Sequence, residues 1–138
     1  MSNKAIRALL EKRLDTWAKA QSPAIKVAFQ NAAFTKPNGL YLRTFLLPNP
    51  TDTRFLESTD REYMGVFQVS IVAPLNGGPN AADTVVAALE ALFPKELLLT
   101  STLTVRVTST PSAAPALTEP DAYVVPVSFS YQAQVISP

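Results

Sequence analysis

The sequence predicts an α+β fold: a mixed, mostly antiparallel sheet of about five strands with two helices packed on one face. Three observations point to it. Apolar residues recur at helical spacing over residues 3–20 and again between Asn80 and Pro94. Five further segments are short, apolar and strand-like, most of them alternating with period two. Clusters rich in proline, glycine and asparagine separate those segments. The predicted order is helix, three strands, helix, two strands, in a single domain spanning residues 1–138.

In the first helix, Ile6, Leu9, Leu10, Leu14 and Trp17 form one apolar stripe. Ser2 is the expected N-cap, Asp15 stands four residues before Lys19 in the favourable orientation, and Gln21-Ser22-Pro23 ends the helix. Residues 25–29 predict a strand with Ile25, Val27 and Phe29 on one face. Thr35-Lys36-Pro37-Asn38-Gly39 reads as a turn, with Asn38-Gly39 supplying the positive φ of a tight hairpin. Residues 40–47 predict a second strand, apolar on both faces except at Arg43 and Thr44 and therefore expected to be central or covered on both sides, with Pro48 and Pro50 closing it. Residues 51–62 are polar and predict an exposed loop.

The third strand is expected over 63–72, with Tyr63, Phe67, Val69 and Ile71 facing one way and Gln68 and Ser70 the other. In the second helix Asn80 is the expected cap and Asp83 occupies the reciprocal position of a capping box. Its expected buried stripe is Ala82, Val85, Val86, Leu89 and Leu92, with Phe93 at the edge, and Ala81, Ala87, Ala88 and Ala91 keep its sides thin. Residues 102–108 predict a strand with Leu103, Val105 and Val107 inward. Residues 109–122, with a Ser/Pro/Ala-rich stretch at 109–116, predict a loop or a projecting arm. The last strand is expected over 123–135, and the missing amide hydrogen of Pro126 predicts an edge or a bulge there.

Composition excludes several chemistries. The chain has no Cys and no His. Structural disulfides, zinc sites built on those ligands and triads with a His base are therefore ruled out. No apolar run is long enough to span a bilayer, so no membrane association is expected, and the N-terminus lacks the apolar core of a secretory signal, which reads as an intracellular protein. Net charge is +1, unevenly spread: residues 1–50 carry eight Lys/Arg against two acids, and residues 51–138 carry four against nine. Such polarity suits head-to-tail association through opposite charges, or it solvates one helix.

Four clusters bear on chemistry. Glu57, Asp60 and Glu62 have Arg54 and Arg61 interleaved and match no metal-loop spacing, so they read as a solvated loop. Asn76-Gly77-Gly78-Pro79 precedes a helix but lacks the Lys-Ser or Lys-Thr pair of a phosphate loop. Arg43 interrupts an apolar strand and is expected either to pair within the chain or to meet an acid from a partner; Arg106 lies on a polar face. Lys4, Arg7, Lys12, Arg13 and Lys19 give the first helix a basic surface, the basis for an alternative reading as a small nucleic-acid-binding module, although aromatic platforms are not interleaved. A hydrolase or transferase without His or Cys would need a pocket of perturbed carboxylates. The sequence thus nominates no catalytic, cofactor-binding or metal-binding residue, no cofactor, and no enzyme activity.

Four segments carry a resemblance: MSNKAIRALLEKRLDTWA at the N-terminus, FTKPNGLYLRTFLLP at 34–48, YMGVFQVSIVAP at 63–74 and YVVPVSFSYQ at 123–132. They resemble the tail terminators of tailed phages and prophages, a family of minor tail proteins similar to the phage lambda terminator, over nearly the whole chain. The resemblance implies a mixed sheet flanked by helices and a homo-oligomeric ring of six subunits. It implies a structural virion protein that caps the tail tube at its head-proximal end, ends polymerisation and offers a surface to the head–tail connector. DNA would pass through the pore without specific binding, and the protein would be made in the host cytoplasm. A head-closure, adaptor or other neck protein is the alternative within the same class.

Overall fold

The computed structural model describes residues 2–21, 24–30, 32, 34–35, 37, 39–48, 62–75, 80–100, 103–120 and 122–135. Its elements run α1 (Ser2–Lys19), β1 (Lys26–Ala28), β2 (Tyr41–Pro48), β3 (Glu62–Ala73), α2 (Asn80–Leu92), β4 (Leu98–Thr100), β5 (Leu103–Val107), β6 (Ser112–Ala113), β7 (Leu117–Glu119) and β8 (Ala122–Val135). The strands form one sheet ordered β1-β2-β3-β8-β5-β4, with β6 and β7 also laddered onto β8. The pairings are antiparallel apart from β1 with β2.

One face of this sheet is continuous and apolar because the register stacks like with like. Leu42, Ile71 and Val125 lie in one row, Leu46, Phe67 and Phe129 in another, and Tyr131 meets Val107. Onto this face α1 lays Ile6, Leu10 and Leu14, and α2 lays Ala82, Val85 and Leu89, all within one buried core. Each large side chain buried in this way contributes about 1.5–3 kcal/mol. Phe93, expected at the margin of α2, is fully buried. Its ring stacks on Phe129 with centroids 4.8 Å apart, and Phe67 lies 5.7 Å from Phe129. The two helices are tied together where Arg13 Nε donates to the Leu92 carbonyl at 2.7 Å, supplying a cation to the C-terminal end of α2.

The predicted class and element order hold, and several local expectations are corrected. Helix α1 begins at Ser2 itself, one residue earlier than expected. β1 and β2 do not form a hairpin: they are parallel, joined by residues 29–40, and Gly39 does not adopt positive φ. A parallel pair needs a crossover of a dozen or so residues, which a tight turn cannot provide. β2 is covered on both faces only at its start: Tyr41 and Leu42 are buried, whereas Leu47 is 48% exposed. β1 covers only residues 41–43 of β2; beyond them Gln30 Oε1 accepts the Leu46 amide at 3.0 Å and Pro48, the last residue of β2, has no amide, so the edge is blunted.

Three short strands went unpredicted. β4 is a three-residue edge whose approach turn places Glu96 at φ 74°. The 109–122 stretch holds β6 and β7, folded back onto β8. Pro126 therefore lies inside the sheet, opposite Ser70. Its carbonyl accepts from the Ala114 amide at 2.8 Å, and within a strand the carbonyl and amide of one residue point the same way. The absent N–H thus faces the interval between β6 and β7, and the β3 ladder is left intact. Expectations for the 51–61 loop, Asn76–Pro79 and Asn38 lie outside the described residues.

Gly65 and Tyr131 face each other across β3 and β8. A Cβ at Gly65 would lie 2.6 Å from both the Leu47 carbonyl oxygen and the Tyr131 hydroxyl. The Tyr131 hydroxyl is buried without a hydrogen-bond partner among the described residues, and burial pushes its pKa up to about 12. Gly65→Ala should therefore lower stability by about 1–3 kcal/mol in urea denaturation, because backbone must move. Tyr131→Phe removes a polar group that has no partner and should leave stability within about 1 kcal/mol of the parent, or raise it. Equal losses in the two variants would contradict this packing.

Candidate assembly surfaces

The charged groups singled out in the sequence are mostly satisfied within the chain. Arg43 Nη2 donates to the Tyr41 hydroxyl at 3.2 Å and lies 3.4 Å from Glu119 Oε1, joining β2 to β7 across the sheet. Of the two expectations for Arg43, the intramolecular pair is the one found. Arg106 donates to Glu96 Oε2 at 3.2 Å and to Gln132 Oε1 at 2.7 Å. Lys19 pairs with Asp15 at 2.8 Å, as the spacing predicts. With Arg13 engaged on α2, the basic helix keeps Lys4 and Lys12 exposed and Arg7 half-buried. That is a thin basis for a nucleic-acid groove, which needs a continuous positive track.

The acidic candidates do not assemble into a site. Glu57 and Asp60, with Arg54 and Arg61, lie outside the described residues; Glu62 is the first residue of β3, opposite Gln134. Among the described residues no group of three or more Asp or Glu is placed to hold a metal ion. Glu11, on the inner side of α1, is a carboxyl with perturbed protonation. Thr44 Oγ1 donates to Glu11 Oε2 at 3.3 Å. Burial pushes this carboxyl above its ordinary 4.5, while Arg7 and the Thr44 hydroxyl pull it partly back. A single half-buried acid hydrogen-bonded to a core threonine is a packing feature of the helix–sheet contact.

What remains outward is surface. The sheet face away from the helices is uncharged over its middle: Gln68, whose Nε2 donates to Ser70 Oγ at 3.0 Å, is followed across the register by Ser128, and Val66 by Ser130. At one corner Phe45, Leu47, Val66 and Met64 adjoin, with Leu47 48% and Met64 43% exposed. On the helix side, a groove of about 530 Å³ opens between the C-terminal half of α1, the first half of α2 and the start of β1. Trp17, Ile25, Leu40, Ala81, Val85 and Ala88 give it apolar walls. Ala81 and Ala88 of α2, read from the sequence as helix-favouring and keeping its sides thin, line this space. On the far side of β8, residues 112–118 are exposed throughout and carry no charge. The groove and the corner, which no catalytic motif would reveal, are formed by residues far apart in the chain, whereas 112–118 is one continuous segment.

Comparison with known proteins adds the class. The chain matches the family model described as phage tail terminator protein over residues 5–131. Among solved structures, one is 43% identical in sequence and superimposes with a TM-score of 0.86, covering 100% of this chain and 99% of its own. No curated protein matches.

The Glu11 environment sets a pH dependence. Because its folded pKa lies above the unfolded value, the folded state holds the proton more tightly just above pH 4.5, and stability falls as pH rises through that window. Glu11→Gln should flatten the slope of unfolding free energy against pH there, measured from urea midpoints. An unchanged slope would show that this carboxyl titrates alike in both states.

Proposed function

The chain belongs to the phage tail terminator family, a structural component of the virion tail that acts in tail completion, and from that premise we propose that it closes into a homo-oligomeric ring that caps the tail tube. The ring is expected to hold six subunits at the head-proximal end. It would end tube polymerisation and offer its other surface to the head–tail connector, with DNA passing through the pore without specific binding. Synthesis would take place in the host cytoplasm.

The observation that carries this reading is the family match over residues 5–131, on a fold that also exposes apolar side chains such as Leu47, Met64 and Leu117. The mechanism is surface complementarity. A growing tube ends in a ring of repeated unfilled sites. A cap that satisfies those sites on one side and lacks them on the other leaves the next tube subunit nothing to bind. Such a cap needs a rigid body, and the helix-backed sheet supplies one. A ring, in turn, needs a contact between two different patches whose rotation closes.

Light scattering on concentrated protein, together with co-sedimentation on tail tubes, tests the reading. A closed oligomer that binds tube ends and halts further extension is expected. A protein that stays monomeric and ignores tubes would sink it.

A further inference from the structure

The margin of a sheet accepts another strand when its outward amides and carbonyls are free to pair. We propose that both long margins of this sheet are built to refuse one, so that copies of the chain meet through side-chain surfaces and not through a shared ladder. The inference goes beyond the ring reading and does not depend on it, because it concerns the free subunit as much as an assembled one.

At the first margin β2 runs on past β1, which covers its residues 41–43 only. The Leu46 amide points away from β3, since it donates to Gln30 Oε1 at 3.0 Å. Backbone groups of successive residues alternate in direction, so Pro48 stands at the next outward position, where an incoming strand would need an N–H. A side-chain amide thus fills one site of this margin and a proline deletes the other.

The margin beside β8 uses the same two devices. β5, β6 and β7 all run antiparallel to β8 and together make one interrupted partner strand. From the Val107–Tyr131 pair to the Ser112–Ser128 pair this strand advances five residues while β8 advances three. From Ala113–Val127 to Leu117–Val124 it advances four against three. Such extra residues are bulges, which bend a margin and interrupt its ladder. At the first bulge the Thr108 amide donates to the Ser130 carbonyl at 2.9 Å, and the Ser130 amide donates to Ser109 Oγ at 2.8 Å, a side-chain oxygen in place of a backbone one. At the second, the Ala114 amide points inward to the Pro126 carbonyl, so Pro115 takes the outward position and offers no N–H. The helix α2 also packs against β6.

The protection matters because residues 112–118 are exposed and uncharged, with Leu117 58% exposed, and an open margin of that composition templates aggregation. The outermost strands β1 and β4 are three residues each, and β1 carries the exposed Lys26. Short length and a lysine both discourage pairing. Were the two long margins open, joining one to the other would leave a free margin at each end, and the union could propagate from copy to copy.

Restoring the missing amides tests this. Pro48→Val and Pro115→Val are combined in one chain, and Ala116→Val is the control that adds bulk at the same bulge without adding an amide. Circular dichroism and urea midpoints establish that each variant is folded before its association is followed by sedimentation velocity and thioflavin fluorescence. The double variant should lose its soluble form to open-ended, β-rich polymers, while the parent and Ala116→Val stay as they were. A folded double variant that keeps the parent's association state would overturn the inference, as would Ala116→Val polymerising equally. If the double variant does not fold, amide exchange on the parent decides. The Ala113 amide precedes the inward one of Ala114 and so faces outward. It should exchange as fast in any oligomer the parent forms, or on tail tubes, as in the free subunit. Its protection on association would reveal a strand laid against this margin and overturn the inference.

Discussion

The antiparallel register of β3 against β8 is the constraint on which the rest of the molecule depends. All twelve residues of β3 pair with β8, from Glu62 opposite Gln134 to Ala73 opposite Tyr123. Side chains alternate between faces, so a slip of β8 by one residue would turn Phe129 and Val127 away from the helices and bring Ser128 inward. The correct register makes the helix-facing side apolar apart from Thr44, and both helices pack there. Gly65 belongs to the same constraint: without a side chain it admits the Tyr131 ring where β2 passes closest.

A body organised in this way has its chemistry at its boundaries. The helix-facing side is spent on stability, and the perturbed acid Glu11 there is held by Thr44. The arginines that could have sought partners elsewhere are satisfied at home, Arg43 by Tyr41 and Glu119, Arg106 by Glu96 and Gln132. Apolar features that face outward are the 112–118 segment, the walls of the α1–α2 groove and the Leu47–Met64 corner. Surfaces of this kind serve a tail protein well. Assembly then joins preformed shapes, and the entropy of ordering is already met by folding.

Much of the fold was legible in the sequence, and the misses share one cause. The helical stripes of α1 and α2 and the alternation in β3, β5 and β8 survive in the structure because local periodicity and tertiary burial agree there. The failures occur where non-local pairing decides. Asn38-Gly39 has the composition of a hairpin turn, yet β1 joins β2 in parallel. Leu98 to Thr100 and Ser112 to Glu119 are too short to show a period, and become strands only because β5 and β8 offer them edges. Phe93 looked marginal on a helical wheel and proved central, since its position past the end of α2 drops it between Phe67 and Phe129. The α1–α2 groove was not legible, because its walls meet only in three dimensions; the sequence hinted at the exposed 112–118 segment through its run of alanine and proline.

The central claim is that the sheet is rigid before assembly and that β3 and β8 are its most stable part. Amide hydrogen exchange on the unassembled protein tests this most directly. The slowest amides should lie in β3 and the facing half of β8, with β4, β6 and β7 exchanging far faster. Uniformly rapid exchange across β3 and β8 would mean that the sheet forms only on assembly, and would contradict a mechanism built on preformed surfaces.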